Sequence, residues 1–130
     1  MPSSTVHRVD CPGTPSMVWS ALLRAGRSDE NSHHLLHLRH TDLRLRPSST
    51  GVAARGRAQW AGVRYRVTVY LLPEGGTTRL LIAGREDTRA STPGTLARMR
   101  ARRLAGHDLR RLAQATRTYS GARTAEPYRA

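Results

Sequence analysis

Four histidines fall within eight residues, in "HHLLHLRH" (33–40). Imidazole titrates near neutral pH and is the commonest metal ligand, so the cluster invites proton transfer or metal coordination. On a continuous helix His33, His37 and His40 would share a face at i, i+4 and i+7 and could hold zinc. Against this, "HLRHTDLRLR" already alternates like a strand by residue 41, and no glutamate follows at helical spacing. Cys11 is the only cysteine, which excludes an intrachain disulfide and a cysteine-based zinc site. No metal and no cofactor is expected on these grounds.

As a strand the segment reads differently. With Leu45 facing Val52 across a 47–51 loop, Leu43, Thr41, Arg39 and His37 turn inward and His40 points outward, opposite Arg57. His37 is then a candidate acid or base, and Arg39 a candidate holder of a carboxylate or enolate oxygen. This register turns Leu36 and Leu38 outward, and a bulge near residue 40 would reverse the faces. In a third reading the histidines only mark an exposed helix-to-strand junction. His7 and His107 are isolated and receive no role. Cys11 precedes Pro12 at a strand end with no partner base, which suits a buried structural thiol. "GVAARG" lacks the phosphate-loop pattern, and no serine sits in a nucleophile elbow.

Charge is the other chemical signal. All 22 basic residues are arginine, against 9 carboxylates, for a net charge of +13. Lysine and phenylalanine are absent, a bias that looks like a GC-rich genome, but the net charge still attracts anions. Nucleic acid, an acidic partner protein and an acidic small molecule all qualify. No run of 18 apolar residues and no apolar leader core is present, so a cytoplasmic protein is expected, with no membrane partner.

The elements that must position these residues follow from periodicity. "STVHRVDCP" reads as a first strand. "GTPSMVWSALLRAG" reads as a helix capped by Thr14, opened by Pro15 and closed by Gly26, with Met17, Val18, Ala21 and Leu22 as its stripe. Ser28 or Asp29 could cap one further short turn. Two-residue alternation then runs through 42–47, 51–60, 63–72 and 77–87, joined by short turns, so these four strands form an antiparallel meander. Residues 91–116 read as a long helix with Gly106 as a potential bend, with residues 1–117 as one domain and 118–130 as a disordered tail.

Hairpin geometry extends the reading to register. With Ala61–Gly62 as a two-residue turn, Trp60 faces Val63, Ala58 faces Tyr65, Gly56 faces Val67 and Ala54 faces Val69. With 73–76 as the next loop, Val69 faces Leu80, Val67 faces Ile82 and Tyr65 faces Gly84. One sheet face is then apolar. The other carries Arg44, Arg46, Arg55, Arg57, Arg64, Arg66, Arg79 and Arg85, with Arg57 opposite Arg66 and only Asp42, near Arg55, to oppose them. This face is either solvated or an anion-docking surface.

"VDCPGTPSMVWSALL", "YRVTVYLLPEGGTTRLLIAGRE" and the terminal "LARMRARRLAGHDLRRLAQAT" occur in an order that resembles the START-like helix-grip superfamily, also called polyketide cyclase/dehydrase-like or SRPBCC. The resemblance implies an α+β fold in which a curved antiparallel sheet, of about five strands here, wraps the long C-terminal helix around an apolar cavity. It implies a lining that includes Leu43, Trp60, Val67, Val69, Leu80 and Ile82, with Trp60 and Tyr65 near the open end. Val52 and Leu45 fall on the same face. The expected function is binding of an apolar or polyketide-like molecule, with His37, Arg39 and Tyr65 as catalytic candidates for cyclisation or dehydration and the basic face docking an acidic carrier protein. The alternatives are an RNA- or ribosome-binding module acting through the arginine face and a non-catalytic partner subunit.

Overall fold

The computed structural model describes residues 4–28, 34–48, 52–87 and 94–125. Strand β1 (Ser4–Pro12) leads into helix α1 (Pro15–Ala25), followed by β2 (Leu35–His37), β3 (Asp42–Pro47), β4 (Ala53–Trp60), β5 (Val63–Glu74), β6 (Thr77–Glu86) and helix α2 (Thr95–Ala125). The strands form one antiparallel sheet in the order β1-β6-β5-β4-β3-β2. It has six strands where the sequence suggested about five; the addition is the three-residue edge strand β2. His33 and the expected short turn after Ser28 lie outside the described residues, apart from Ser28 itself. Among the described residues no helix is long and apolar enough to cross a membrane.

Local chemistry explains the elements. The Thr14 side chain accepts the Met17 N–H, and Pro15 occupies the first turn, where its missing N–H costs nothing. Val18, Ala21 and Leu22 are the buried face of α1, as the stripe required. The β4–β5 hairpin turns on Ala61 and Gly62, both at positive φ, the conformation that matches a two-residue turn to the strand twist. Its register is as expected: Trp60 opposite Val63, Ala58 opposite Tyr65, Gly56 opposite Val67, Ala54 opposite Val69.

Two other registers differ. The β5–β6 turn is the pair Gly75–Gly76, and Pro73 pairs with Thr78 inside the ladder. Val69 therefore faces Ile82, Val67 faces Gly84 and Tyr65 faces Glu86. The slip is two residues, so the buried face is preserved. Across β3–β4, Leu45 faces Gly56, not Val52, and Val52 is exposed in the connection. A Cβ at Gly56 would run into the Arg44 carbonyl oxygen, so glycine there permits the close approach of β3.

Helix α2 is continuous through Gly106 and extends well past residue 117. Residues 118–125 of the expected tail are therefore helical, and 126–130 lie outside the described residues. Thr116 and Ser120 are buried and return their hydroxyl protons to the carbonyls four residues back. Tyr119 packs its ring under the Arg24 guanidinium of α1, 5.2 Å from the centroid. Tyr119 thus has α1 as a surface to bury against.

Cys11 is fully buried at the start of this core, and burial pushes its thiol pKa up. It should react with a disulfide reagent in the native protein only through opening of the fold, and at once in denaturant. A native reaction as fast as that of a free thiol would show that β1 is not seated as described.

Candidate functional site

The sheet's apolar face is the first place to look for a ligand. Leu43, Val67, Val69, Leu80 and Ile82 show no accessible surface, nor does Trp60, and Tyr65 shows 1%. A side chain bordering a water-sized void would show some. The space is filled by Leu22 and Val18 from α1 and by Ala101, Ala105, Leu109, Leu112 and Ala113 from α2. Three of those five α2 residues are alanine, so the helix sits low on the sheet. Leu109 reaches to Gly84, where even a Cβ would stand 2.9 Å from it. Trp60 and Tyr65 meet edge to face, 5.5 Å between centroids, as core residues and not at an open end. The expected lining residues are thus brought together, but around a packed core.

His37 and Arg39 are not on that face. The chain reverses at 38–41, where the Leu38 N–H donates to the Thr41 carbonyl, so β2 and β3 are a hairpin and not one strand. Leu36 pairs with Leu43 and is fully buried, while His37 and Arg39 are exposed. His37 pairs with Asp42 at 2.9 Å on the solvent side. The leucines win the interior because burying two of them outweighs burying an imidazole and a guanidinium without partners.

The outer face holds the arginines as expected. Arg44 stands opposite Arg57, Arg57 opposite Arg66, and Arg66 opposite Arg85, a row of four across β3, β4, β5 and β6. At the ordinary strand spacing the row spans about 14 Å. Arg46 and Arg55 form a second row two residues away. Arg44, Arg46, Arg55, Arg57 and Arg66 line an open groove of about 1070 Å³ with Thr68 and Tyr70. Arg66 has Asp87 at 3.5 Å. Among the described residues, no carboxylate lies within ion-pair distance of Arg44, Arg46, Arg55, Arg57, Arg64 or Arg85. Arg79 is different, because Asp10 and Glu74 engage it at 3.4 and 3.1 Å. Arg64 faces Gln59 on β4, and its carbonyl accepts the Asp87 N–H on the other side, while Asp42 answers to His37 and not to Arg55.

A third feature was not anticipated. Asp108 is completely buried on α2, and its Oδ2 accepts the Trp60 Nε1–H at 2.8 Å and the His40 backbone N–H at 3.0 Å. Its Oδ1 lies 2.7 Å from His40 Nδ1 and 3.9 Å from His107 Nδ1. The two imidazoles meet edge to face at 5.9 Å. His40 is therefore not opposite Arg57 but folded onto the helix by the 38–41 reversal. The His40 side chain remains 32% exposed. A sequence signal existed: Asp108 is the only carboxylate in α2 and falls at helical spacing with Ala101, Ala105 and Leu112.

Adjoining this cluster through His107, a second open groove of about 460 Å³ is lined by His7, Met99, Arg102, Arg103, Gly106, His107 and Arg110. Burial, then the Arg110 charge, lowers the His7 pKa, and its Nε2 shares a proton with Thr5 Oγ1 at 2.8 Å. Because the folded state disfavours the charged imidazole, the unfolded chain binds this proton more readily. Stability should therefore fall as pH drops below about 6.5 toward the lower folded value. Urea titrations at several pH values should show a weaker acid loss in His7→Gln; an unchanged slope would contradict the assignment.

Known proteins agree on the architecture. No family model matches the sequence, and no curated protein matches it. An aromatase/cyclase, Zhui of Streptomyces sp. R1128, superposes with a TM-score of 0.71 at 12% identity, covering 95% of this chain and 96% of its own. The protein TTHA0849 of Thermus thermophilus superposes at 0.63 and 15% identity, covering 94% and 99%. A START superfamily protein of Mycobacterium smegmatis does so at 0.61 and 13%, covering 92% and 97%. With its antiparallel sheet wrapped on a long C-terminal helix, this chain has the START-like helix-grip fold.

Proposed function

We propose that the protein binds the phosphate backbone of nucleic acid, RNA in the first instance, through the outer face of its sheet. The observation that carries this is the in-register row Arg44–Arg57–Arg66–Arg85, the first three of which line a broad groove. Like charges directly opposite on a sheet cost about 0.2–1 kcal/mol per pair, so folding alone gives no reason to stack four. A polyanion relieves that repulsion, and guanidinium groups match phosphate geometry. Further arginines on the outer surface of α2 spread the positive charge beyond one face, which suits a long anion more than a single docking helix. Tyr70 is the one exposed aromatic lining the groove, so contact is with backbone rather than stacked bases.

A second reading has a specific observation behind it. Trp60 is at once a core residue and a donor to the His40–Asp108 pair, so an apolar molecule entering the interior at that end would meet an acid–base group. Aromatase/cyclases share the fold, and the arginine face would then receive an acidic carrier protein that delivers the substrate. The filled interior favours the first reading. Native mass spectrometry of the freshly purified protein separates them. Salt-removable nucleic acid carried through purification supports the first; a retained apolar molecule overturns it in favour of the second.

A further inference from the structure

We propose that His40, His107 and Asp108 form a binding site for a divalent transition-metal ion of the zinc class. The three donor atoms lie within 4.8 Å of one another, and they come from two separate elements, the 38–41 reversal and α2. The carboxylate is divided between two tasks. Oδ2 is held by the Trp60 indole and the His40 backbone N–H, while Oδ1 faces both imidazole nitrogens. An outer partner fixing one oxygen while the other is presented is how ligating carboxylates are oriented.

The distances suit an ion. Ligand atoms about 2.0–2.2 Å from tetrahedral zinc stand about 3.3 Å apart. The observed separations of 2.7 Å for His40 Nδ1 and 3.9 Å for His107 Nδ1 from Asp108 Oδ1 lie on either side of that value. Binding needs His40 to retreat slightly while His107 closes in, so that the donor atoms, now within 4.8 Å of one another, draw to that spacing. Two nitrogens and one oxygen are a borderline donor set that suits zinc, cobalt(II) or nickel(II) over magnesium or calcium. His107 is half exposed and His40 a third exposed, so the ion has a way in. Three protein ligands leave a fourth position for water, the arrangement of a reactive and not a purely structural zinc site.

The test is calorimetric titration of the full chain, freed of metal by chelator, with zinc chloride alone. It is supported by the visible spectrum on cobalt(II) loading and by the thermal midpoint at rising zinc. One equivalent should bind, the cobalt spectrum should be that of a tetrahedral site, and the midpoint should rise. His107→Ala removes a half-exposed helical side chain, so it should fold normally and lose at least tenfold in affinity. His37→Ala should bind as the parent does. Failure of the parent to bind one equivalent would overturn the site. So would undiminished affinity in His107→Ala, or loss in His37→Ala, which would move the ion to the exposed His37–Asp42 pair. Nucleic-acid binding is read separately, so the two proposals fail independently.

Discussion

Replacing Arg44, Arg57, Arg66 and Arg85 together with glutamine should weaken binding to a short oligouridylate about 100-fold at low salt, while making the protein more stable. Each exposed guanidinium–phosphate pair contributes roughly 0.2–1 kcal/mol, and four of them reach the 2.7 kcal/mol or so that 100-fold requires. Each lost phosphate contact also removes about 0.7 from the salt dependence on a single strand, so the slope should fall by about 3. Stability should rise because three adjacent like-charged pairs disappear, worth roughly 0.6–3 kcal/mol in total, offset in small part by the loss of the exposed Arg66–Asp87 pair. The opposite signs are the diagnostic. A solvated face with no partner would give the gain in stability without the loss in binding. Arg79→Gln is the control; its guanidinium is already engaged by Asp10 and Glu74, so it should leave RNA affinity within about twofold.

The largest loss of stability is expected at Asp108. Asp108→Ala strands the Trp60 indole N–H and the His40 backbone N–H, each at roughly 1–3 kcal/mol, and releases the 38–41 reversal from α2. A loss of about 3–5 kcal/mol follows, a large share of the 5–15 kcal/mol that holds a domain of this size. Asp108→Asn keeps one oxygen for both N–H groups and should lose about 1–2 kcal/mol. Trp60→Phe keeps most of the apolar volume and removes one donor, so it should also fall near 1 kcal/mol, and the pair should be non-additive. Urea unfolding with a common slope measures all of these. A loss under 0.5 kcal/mol in Asp108→Ala would mean that the carboxylate is not the tie between sheet and helix.

The sheet was legible where turn chemistry and alternation spoke together. Ala61–Gly62 set the β4–β5 register to the residue. At β5–β6 the sequence "PEGG" invited a four-residue loop, yet Gly75–Gly76 alone make the turn; the face survived because a slip of two restores the pleat. The reversal at 38–41 carries no glycine, proline or asparagine, so it escaped notice, and with it went the placement of His37 and Arg39. A cue was there to be read: about a reversal at 38–41, Leu36 falls opposite Leu43 on the two arms of a hairpin. The extent of α2 was underestimated because "RTYSGARTA" has little helix propensity of its own; Tyr119 within it packs on α1. The His40–Asp108–His107 cluster depends on a contact across 68 residues, which no local pattern encodes.

The most direct test of the phosphate-binding claim is the affinity of the unmodified protein for a labelled oligouridylate, measured by anisotropy across a range of sodium chloride concentrations. A straight line of log Kd against log salt with a slope of about 3 or more is the expected result, because at least four phosphates exchange counterions for arginines. No binding at low salt, or an affinity indifferent to salt, would contradict it and leave the arginine row a solvated face.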